Sequence, residues 1–299
     1  MKESYLNSEF FNRLETTALN FKPELAGFFG GKHLVKTYGQ TVEFADYREY
    51  MLGDDIRRID WNLYSRFEKY FLKLFTDERQ MHTRIFLDCS SSMAKVYPEK
   101  AEYAIAFAAA LGFLSVHNTD KLSMRLIKGD RAVNPFGTII GKNPFFRAVK
   151  DLENIDFVGD SDLEKAIINC DDQGKNDGLV VIISDFFTES NWKKAVDYLL
   201  YKKLQVVLIQ VISPQEADPN YYGRLTLLDS ESDDLLDPKN MKLYITRGML
   251  NAYEEALHDF IYDMRAFCVT RNVGIINVRT DMPIEKAIFE QLMNIGITE

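Results

Sequence analysis

The chain has 299 residues, 46% of them apolar, and a formal charge of -9. That length and apolar content allow one large globular domain or two ordinary ones. The acidic balance argues against a nucleic-acid or anionic-membrane partner, since both need a basic face to displace counterions.

In chain order, the first expected element is an amphipathic helix over residues 8–19. A section rich in glycine and aromatic residues follows, better suited to a few strands or hairpins than to one long helix. We read residues 1–80 as an N-terminal α+β extension packed on a main domain over 81–299. From Thr83 onward apolar strand-like runs alternate with helical stretches. RIFLDC precedes an alanine-rich helix over 98–117, then LSMRLI, then helices over 143–153 and 161–169. VVIISDFF, a helix over 191–203, VVLIQVI, a helix over 248–272, IINVR and a helix over 284–294 complete the series. SPQEADPN and DSESDDLLDPKN read as loops from their Pro, Asp and Ser content. Such alternation implies an α/β fold with a mostly parallel sheet and helices on both faces. The runs are apolar throughout, as strands buried on both sides require.

Ligands of open α/β sheets sit outside the carboxyl ends of the strands. Three such places here carry oxygen donors: Asp88-Cys89-Ser90-Ser91-Ser92, then Asp160-Ser161-Asp162 at the start of a helix, then Ser184-Asp185 after VVII. Carboxylates and hydroxyls are hard donors that suit magnesium, manganese or calcium, and no histidine lies beside them to favour a softer ion. Two carboxylates with three hydroxyls leave a bound ion short of negative charge and open to a further carboxylate. The same serines equally suit turn positions or helix N-caps, where their oxygens accept free backbone N–H bonds.

The pattern Asp88-x-Ser90-x-Ser92, with Ser161 and Asp185, resembles the metal-ion-dependent adhesion site of von Willebrand factor A domains. The segment GQTVEFADYREYMLGDDIRRIDW over 39–61 looks like the signature of the DUF58 family. The resemblance implies a von Willebrand A-like, Rossmann-like α/β fold with a magnesium site, manganese or calcium being alternatives. It implies that Ser90, Ser92 and Ser161 ligate the ion directly, that Asp88 and Asp185 act largely through water, and that an acidic side chain of a partner protein completes the site. It further implies a non-enzymatic, chaperone-like module working with a MoxR-type AAA+ ATPase in the assembly or maturation of a client protein. Ser161 stands where threonine is more usual; serine keeps the oxygen but lacks the methyl that stiffens χ1.

Other motifs point to ordinary roles. Asp54, Asp55, Arg57, Asp60 and Trp61 read as a structural network of the signature, because arginine suits bidentate carboxylate pairing. GFFGGKH lacks the first glycine of a phosphate loop, where Ala26 stands, and its final hydroxyl, where His33 stands. The histidines show no metal-ligand spacing, no nucleophile elbow is present, and Cys89 reads as a small buried filler. Cys89, Cys170 and Cys268 form no CxxC pair, so no disulfide framework or thiolate zinc site is expected. With no apolar signal core or membrane-length run, a cytoplasmic location is expected. A metal-dependent hydrolase using the same oxygen cluster, or a scaffold whose metal site is empty, are the competing possibilities.

Overall fold

The computed structural model describes residues 6–20, 42–51, 54–77, 81–170, 178–227 and 241–289. The chain divides into two compact units, a smaller one over Lys32–Gln80 and a larger one formed by Met1–Gly31 with Met81–Glu299. In the smaller unit β1 (Val42–Glu49) pairs antiparallel with β2 (Phe71–Asp77), with a bulge between Phe44 and Asp46. A 3-10 turn at Ile56–Arg58 and the short helix α2 (Trp61–Phe67) connect them. The helix begins because the Asp60 carboxylate accepts the Asn62 N–H, and ends where Glu68 turns left-handed at φ 57°.

The larger unit is built on a six-stranded sheet. Its strands are β3 (His82–Asp88), β4 (Lys121–Lys128), β5 (Arg131–Val133), β6 (Leu179–Ser184), β7 (Gln205–Ile212) and β10 (Gly274–Arg279), in the order β10-β7-β6-β3-β4-β5. All neighbours are parallel except the edge pair β4/β5. A separate antiparallel hairpin joins β8 (Gly223–Leu227) to β9 (Met241–Ile245). The architecture is the α/β arrangement expected from the alternation of strand and helix, a mostly parallel sheet with helices on both faces.

Side chains along a strand point alternately to the two faces, so each apolar run feeds two cores. Ile85, Leu87, Val181, Ile183, Val207 and Ile209 pack on one face with α1 (Ser8–Asn20), α3 (Pro98–His117) and α4 (Lys142–Leu152). Phe86, Val180, Ile182, Val206 and Leu208 pack on the other with α5 (Leu163–Ile168), α6 (Trp192–Tyr201) and α8 (Arg247–Thr270). From α1, the buried Phe10, Phe11 and Leu14 join the first core, each side chain contributing about 1.5–3 kcal/mol by leaving water. Gly112 lets α3 lie close: a Cβ there would stand 3.0 Å from Leu122 Cδ2 and 3.1 Å from Phe145 Cε2.

Three features differ from the sequence expectation. SPQEADPN is not all loop: Pro214–Ala217 forms the short helix α7, started by a reciprocal capping box between Ser213 and Glu216. The edge strand β5 is only three residues long, too short for a periodic signal. The β8/β9 hairpin flanks DSESDDLLDPKN, which lies outside the described residues, as does GFFGGKH. Among the described residues no helix is long and apolar enough to cross a membrane.

Candidate metal centre

The chain leaves β3 towards β4 on one side and later returns through β6 on the other side of β3. This reversal opens a crevice at the carboxyl ends of β3 and β6, where α/β sheets bind ligands. Asp88 closes β3 and Ser184 closes β6, so the first and third oxygen stations are neighbours by topology.

Hydrogen bonds stitch the three loops together. Ser184 Oγ donates to Asp88 Oδ2 at 2.6 Å, and the Ser90 N–H donates to Asp88 Oδ1 at 3.0 Å. Ser90 Oγ lies 3.1 Å from Ser92 Oγ. The second loop is tied to the first by Ser91 N–H to Gly159 O at 2.8 Å and Val158 N–H to Cys89 O at 3.0 Å. It is tied to the third by Thr188 Oγ1 donating to the Ser161 carbonyl at 3.1 Å. After Asp185 the chain turns sharply at Phe186, left-handed at φ 61°. A bulky residue in that region costs about 1–3 kcal/mol. The turn is held by the Phe186 N–H bond to Ser184 Oγ at 2.9 Å and by ring packing on Trp192 at 5.6 Å.

The capping alternative for the serines finds no support at Ser90. It precedes the 3-10 turn Ser91–Met93, yet its side chain makes no capping bond. Ser90 and Ser161 are buried, and Ser92 is half-buried. Two hydroxyl oxygens thus lie side by side, with Ser161 on the adjoining loop.

Electrostatics distinguish the two carboxylates, both nearly inaccessible at 1% for Asp88 and 2% for Asp185. Burial pushes the Asp88 carboxyl above the ordinary range and the nearby Asp185 charge pushes it further, against the opposing bonds from Ser184 and Ser90. Among the described residues no cationic side chain forms an ion pair with Asp88. Asp185 is different: its Oδ2 receives Lys100 Nζ at 2.8 Å, and its Oδ1 the Phe187 N–H at 3.0 Å. Lys100 is wholly inaccessible and also donates to Glu216 Oε1 at 2.8 Å and the Ser92 carbonyl at 3.2 Å. Burial alone would lower its pKa, but Asp185 and Glu216 outweigh burial and raise it. Behind Asp185, Gln210 Nε2 donates to its carbonyl, Asn277 Nδ2 to Gln210 Oε1, and Arg265 Nε to Asn277 Oδ1.

The donor chemistry fits a hard divalent cation. The oxygen donors are buried or half-buried; the single Lys100 ammonium pairs with Asp185 and Glu216, and Asp88 has no ion-pair partner among the described residues. That imbalance of two charges is what one divalent ion would offset. Among the described residues no group of three or more His, Cys, Asp and Glu is placed to hold a metal ion; the oxygen donors that do lie together include the hydroxyls of Ser90 and Ser92. Of the residues singled out from the sequence, Asp88, Ser90, Ser92 and Asp185 lie in the first and third loops and Ser161 on the adjoining one; Ser184 appeared there only as part of the third station, and Lys100 and Glu216 were not singled out.

Other groups with reactive potential are quiet. The buried Cys89 thiol is pushed up to about 12 by burial and then by Asp88, so it stays protonated. His82 is engaged with Ser123 Oγ at 2.7 Å, His117 lies 3.5 Å from Glu15, and His258 is on the surface.

The signature residues of the smaller unit organise turns. Asp54 accepts from Arg48 at 2.8 Å and from the Met51 N–H at 2.8 Å, and its pKa is lowered chiefly by the Arg48 bond. Asp55 accepts the Arg57 N–H at 3.1 Å, and Asp60 caps α2 while also receiving the Tyr47 hydroxyl at 3.3 Å. Arg48 thus pairs with a signature carboxylate through its side chain, and the Arg57 backbone N–H bonds to Asp55. Trp61 is 58% exposed and packs edge-on against Tyr64 and Tyr70.

The family model described as a protein of unknown function, DUF58, matches residues 46–255. The chain belongs to the DUF58 family. This DUF58 protein is 28% identical over 224 residues to uncharacterized proteins of Mycobacterium bovis and Mycobacterium tuberculosis, covering 73% of this chain and 70% of theirs. Among solved structures it is similar to an aerotolerance-related membrane protein from Bacteroides fragilis, at 18% identity and a TM-score of 0.43, covering 72% of this chain and 99% of that one. It is also similar to proximal thread matrix protein 1 from the mussel byssus, described with a zinc-occupied MIDAS motif. That match has 14% identity and a TM-score of 0.35, covering 44% of this chain and 36% of the mussel protein.

Proposed function

We propose that the carboxyl end of the sheet is a metal-dependent protein-docking site. Ser90, Ser92 and Ser161 serve as direct ligands, Asp88 and Asp185 hold the ion largely through water, and a partner's acidic side chain completes the coordination. The observation that carries this is Asp88, a buried carboxylate that accepts from a hydroxyl and a backbone N–H and has no ion-pair partner among the described residues. Buried charges are paired or coordinate metals, and the adjacent hydroxyls are the donors a hard ion prefers. When bound, magnesium, or manganese or calcium in its place, supplies an electrophile for the incoming carboxylate.

The surroundings suit docking better than turnover. Among the described residues no histidine hydrogen-bonds to Ser90, Ser92 or Ser161, which removes the usual means of activating a serine. Exposed aromatic residues border the site: Phe187 follows Asp185, Tyr221 lies against Tyr97 at the start of α3, and Tyr253 donates to the Glu216 carbonyl. Aromatic residues are enriched at interfaces. In this account the module is non-enzymatic, acts in the cytoplasm, and works with a MoxR-type AAA+ ATPase in maturing a client protein.

The test is capture on immobilised protein from native lysate, in magnesium or in EDTA, by wild type and by Ser90→Ala/Ser92→Ala. The expected result is a partner retained by wild type in magnesium and by neither protein in EDTA, with the variant failing in both. Capture indifferent to both metal and substitution would contradict the docking site.

A further inference from the structure

Lys100 is the third residue of α3, within its first turn. A cation there opposes the helix dipole, which favours negative charge at that end, and complete burial of an ammonium adds a desolvation cost. Both costs are met by the surroundings. Its three donors reach Ser92 O in the first loop, Asp185 Oδ2 in the third and Glu216 Oε1 in α7, so it links three segments around the oxygen cluster. Glu216 is itself fixed, since its Oε2 accepts the Ser213 N–H at 2.9 Å within the capping box. The ammonium therefore has little freedom to leave.

Resting on the metal-site reading above, we propose that Lys100 is a tethered cation that shares Asp185 with the divalent ion and sets how tightly that ion is held. The division of labour follows from the contacts. Lys100 neutralises Asp185 permanently and leaves Asp88 as the carboxylate that only an added ion can balance. The ammonium and the divalent ion draw on the same carboxylate and repel each other, and their repulsion is strong in a buried site of low effective dielectric. Glu216 moderates the repulsion from the far side by holding part of the ammonium's charge.

Calorimetric titration of Mg2+, with Mn2+ as a second probe, compares wild type with two variants. Lys100→Met/Glu216→Gln removes one charge of each sign, and glutamine can still complete the capping box. It is expected to bind the ion about tenfold more tightly, the repulsive neighbour being gone. Glu216→Gln alone leaves Lys100 in place with less of its charge offset, and weaker binding is expected. Binding by the double variant within about twofold of wild type, or weaker, in protein shown folded by circular dichroism, would overturn the inference and leave the metal site standing. Should the double variant fail to fold, Glu216→Gln decides: unchanged or tighter binding would overturn the inference. Absence of Mg2+ and Mn2+ binding in all three proteins would overturn the metal site itself and the inference with it.

Discussion

At the amino end of the sheet Asp120 is buried beside the start of β4 and accepts the Met81 N–H at 2.9 Å. At the carboxyl end Asp88 and Asp185 are buried together with Lys100 and several hydroxyls. The amino end is packed on backbone: Gly178, at φ 135° before β6, lies so near the His82 carbonyl that a Cβ would collide with it. The carboxyl end is instead crowded with side-chain oxygens and carries a left-handed Phe186. A lone buried carboxylate is tolerated where packing is tight, whereas two of them beside several hydroxyls at a topological switch point are the donors a hard cation prefers. The difference lies in what surrounds each charge rather than in burial itself.

Substitutions at the two ends should separate these roles. The largest effect is expected for Lys100→Met in EDTA, a loss of about 3–5 kcal/mol in denaturant unfolding, because Asp185 and Glu216 are left buried without their shared cation. Saturating magnesium should restore part of that loss by binding the folded state. Gly178→Ala follows, with a loss of about 2–3 kcal/mol from the collision with His82 and the strained φ. Unlike Lys100→Met, it should leave the magnesium-induced increment in Tm unchanged.

The smallest effect concerns pH. Burial raises the Asp120 pKa to about 6, against the lowering influence of the Met81 N–H. Between the ordinary carboxylate pKa near ~4 and that value, the folded protein holds a proton that the unfolded chain has released. Asp120 therefore makes stability fall as pH rises through this window. Asp120→Asn keeps a carbonyl for the Met81 N–H and removes the titration. It should be more stable at pH 7 by about 1 kcal/mol, solvent screening allowed for, with the advantage vanishing towards pH 4. Parallel stability profiles for wild type and variant across that range would contradict this.

Much of the fold was legible because buried parallel strands are apolar throughout and their helices carry clear ends. The bounds of α3, with Pro98 at its first position, coincide with those read from sequence. β5, α7 and the β8/β9 hairpin were not legible, being too short or too polar to show a period. In the site, Asp88, Ser90, Ser92 and Asp185 are legible as oxygen donors at or just after strand ends, and Ser161 as one at the start of a helix. Ser184 resembles any small residue closing a strand. Glu216 lies in a segment read as loop, although Ser213-Pro214-Gln215-Glu216 has the S-x-x-E form of a capping box. Lys100 left one physical clue, a cation in the first turn of a helix, where the dipole disfavours it. Its two carboxylate partners are far away in sequence, so only the fold brings them together.

The most direct test of the metal site is calorimetric titration of Mg2+ into wild type and Asp88→Asn. Asp88→Asn removes the carboxylate that has no ion-pair partner among the described residues and keeps its shape. Saturable binding by wild type and none by a folded Asp88→Asn is predicted. Equal binding by both proteins, or none by wild type, would contradict a metal centre organised on Asp88.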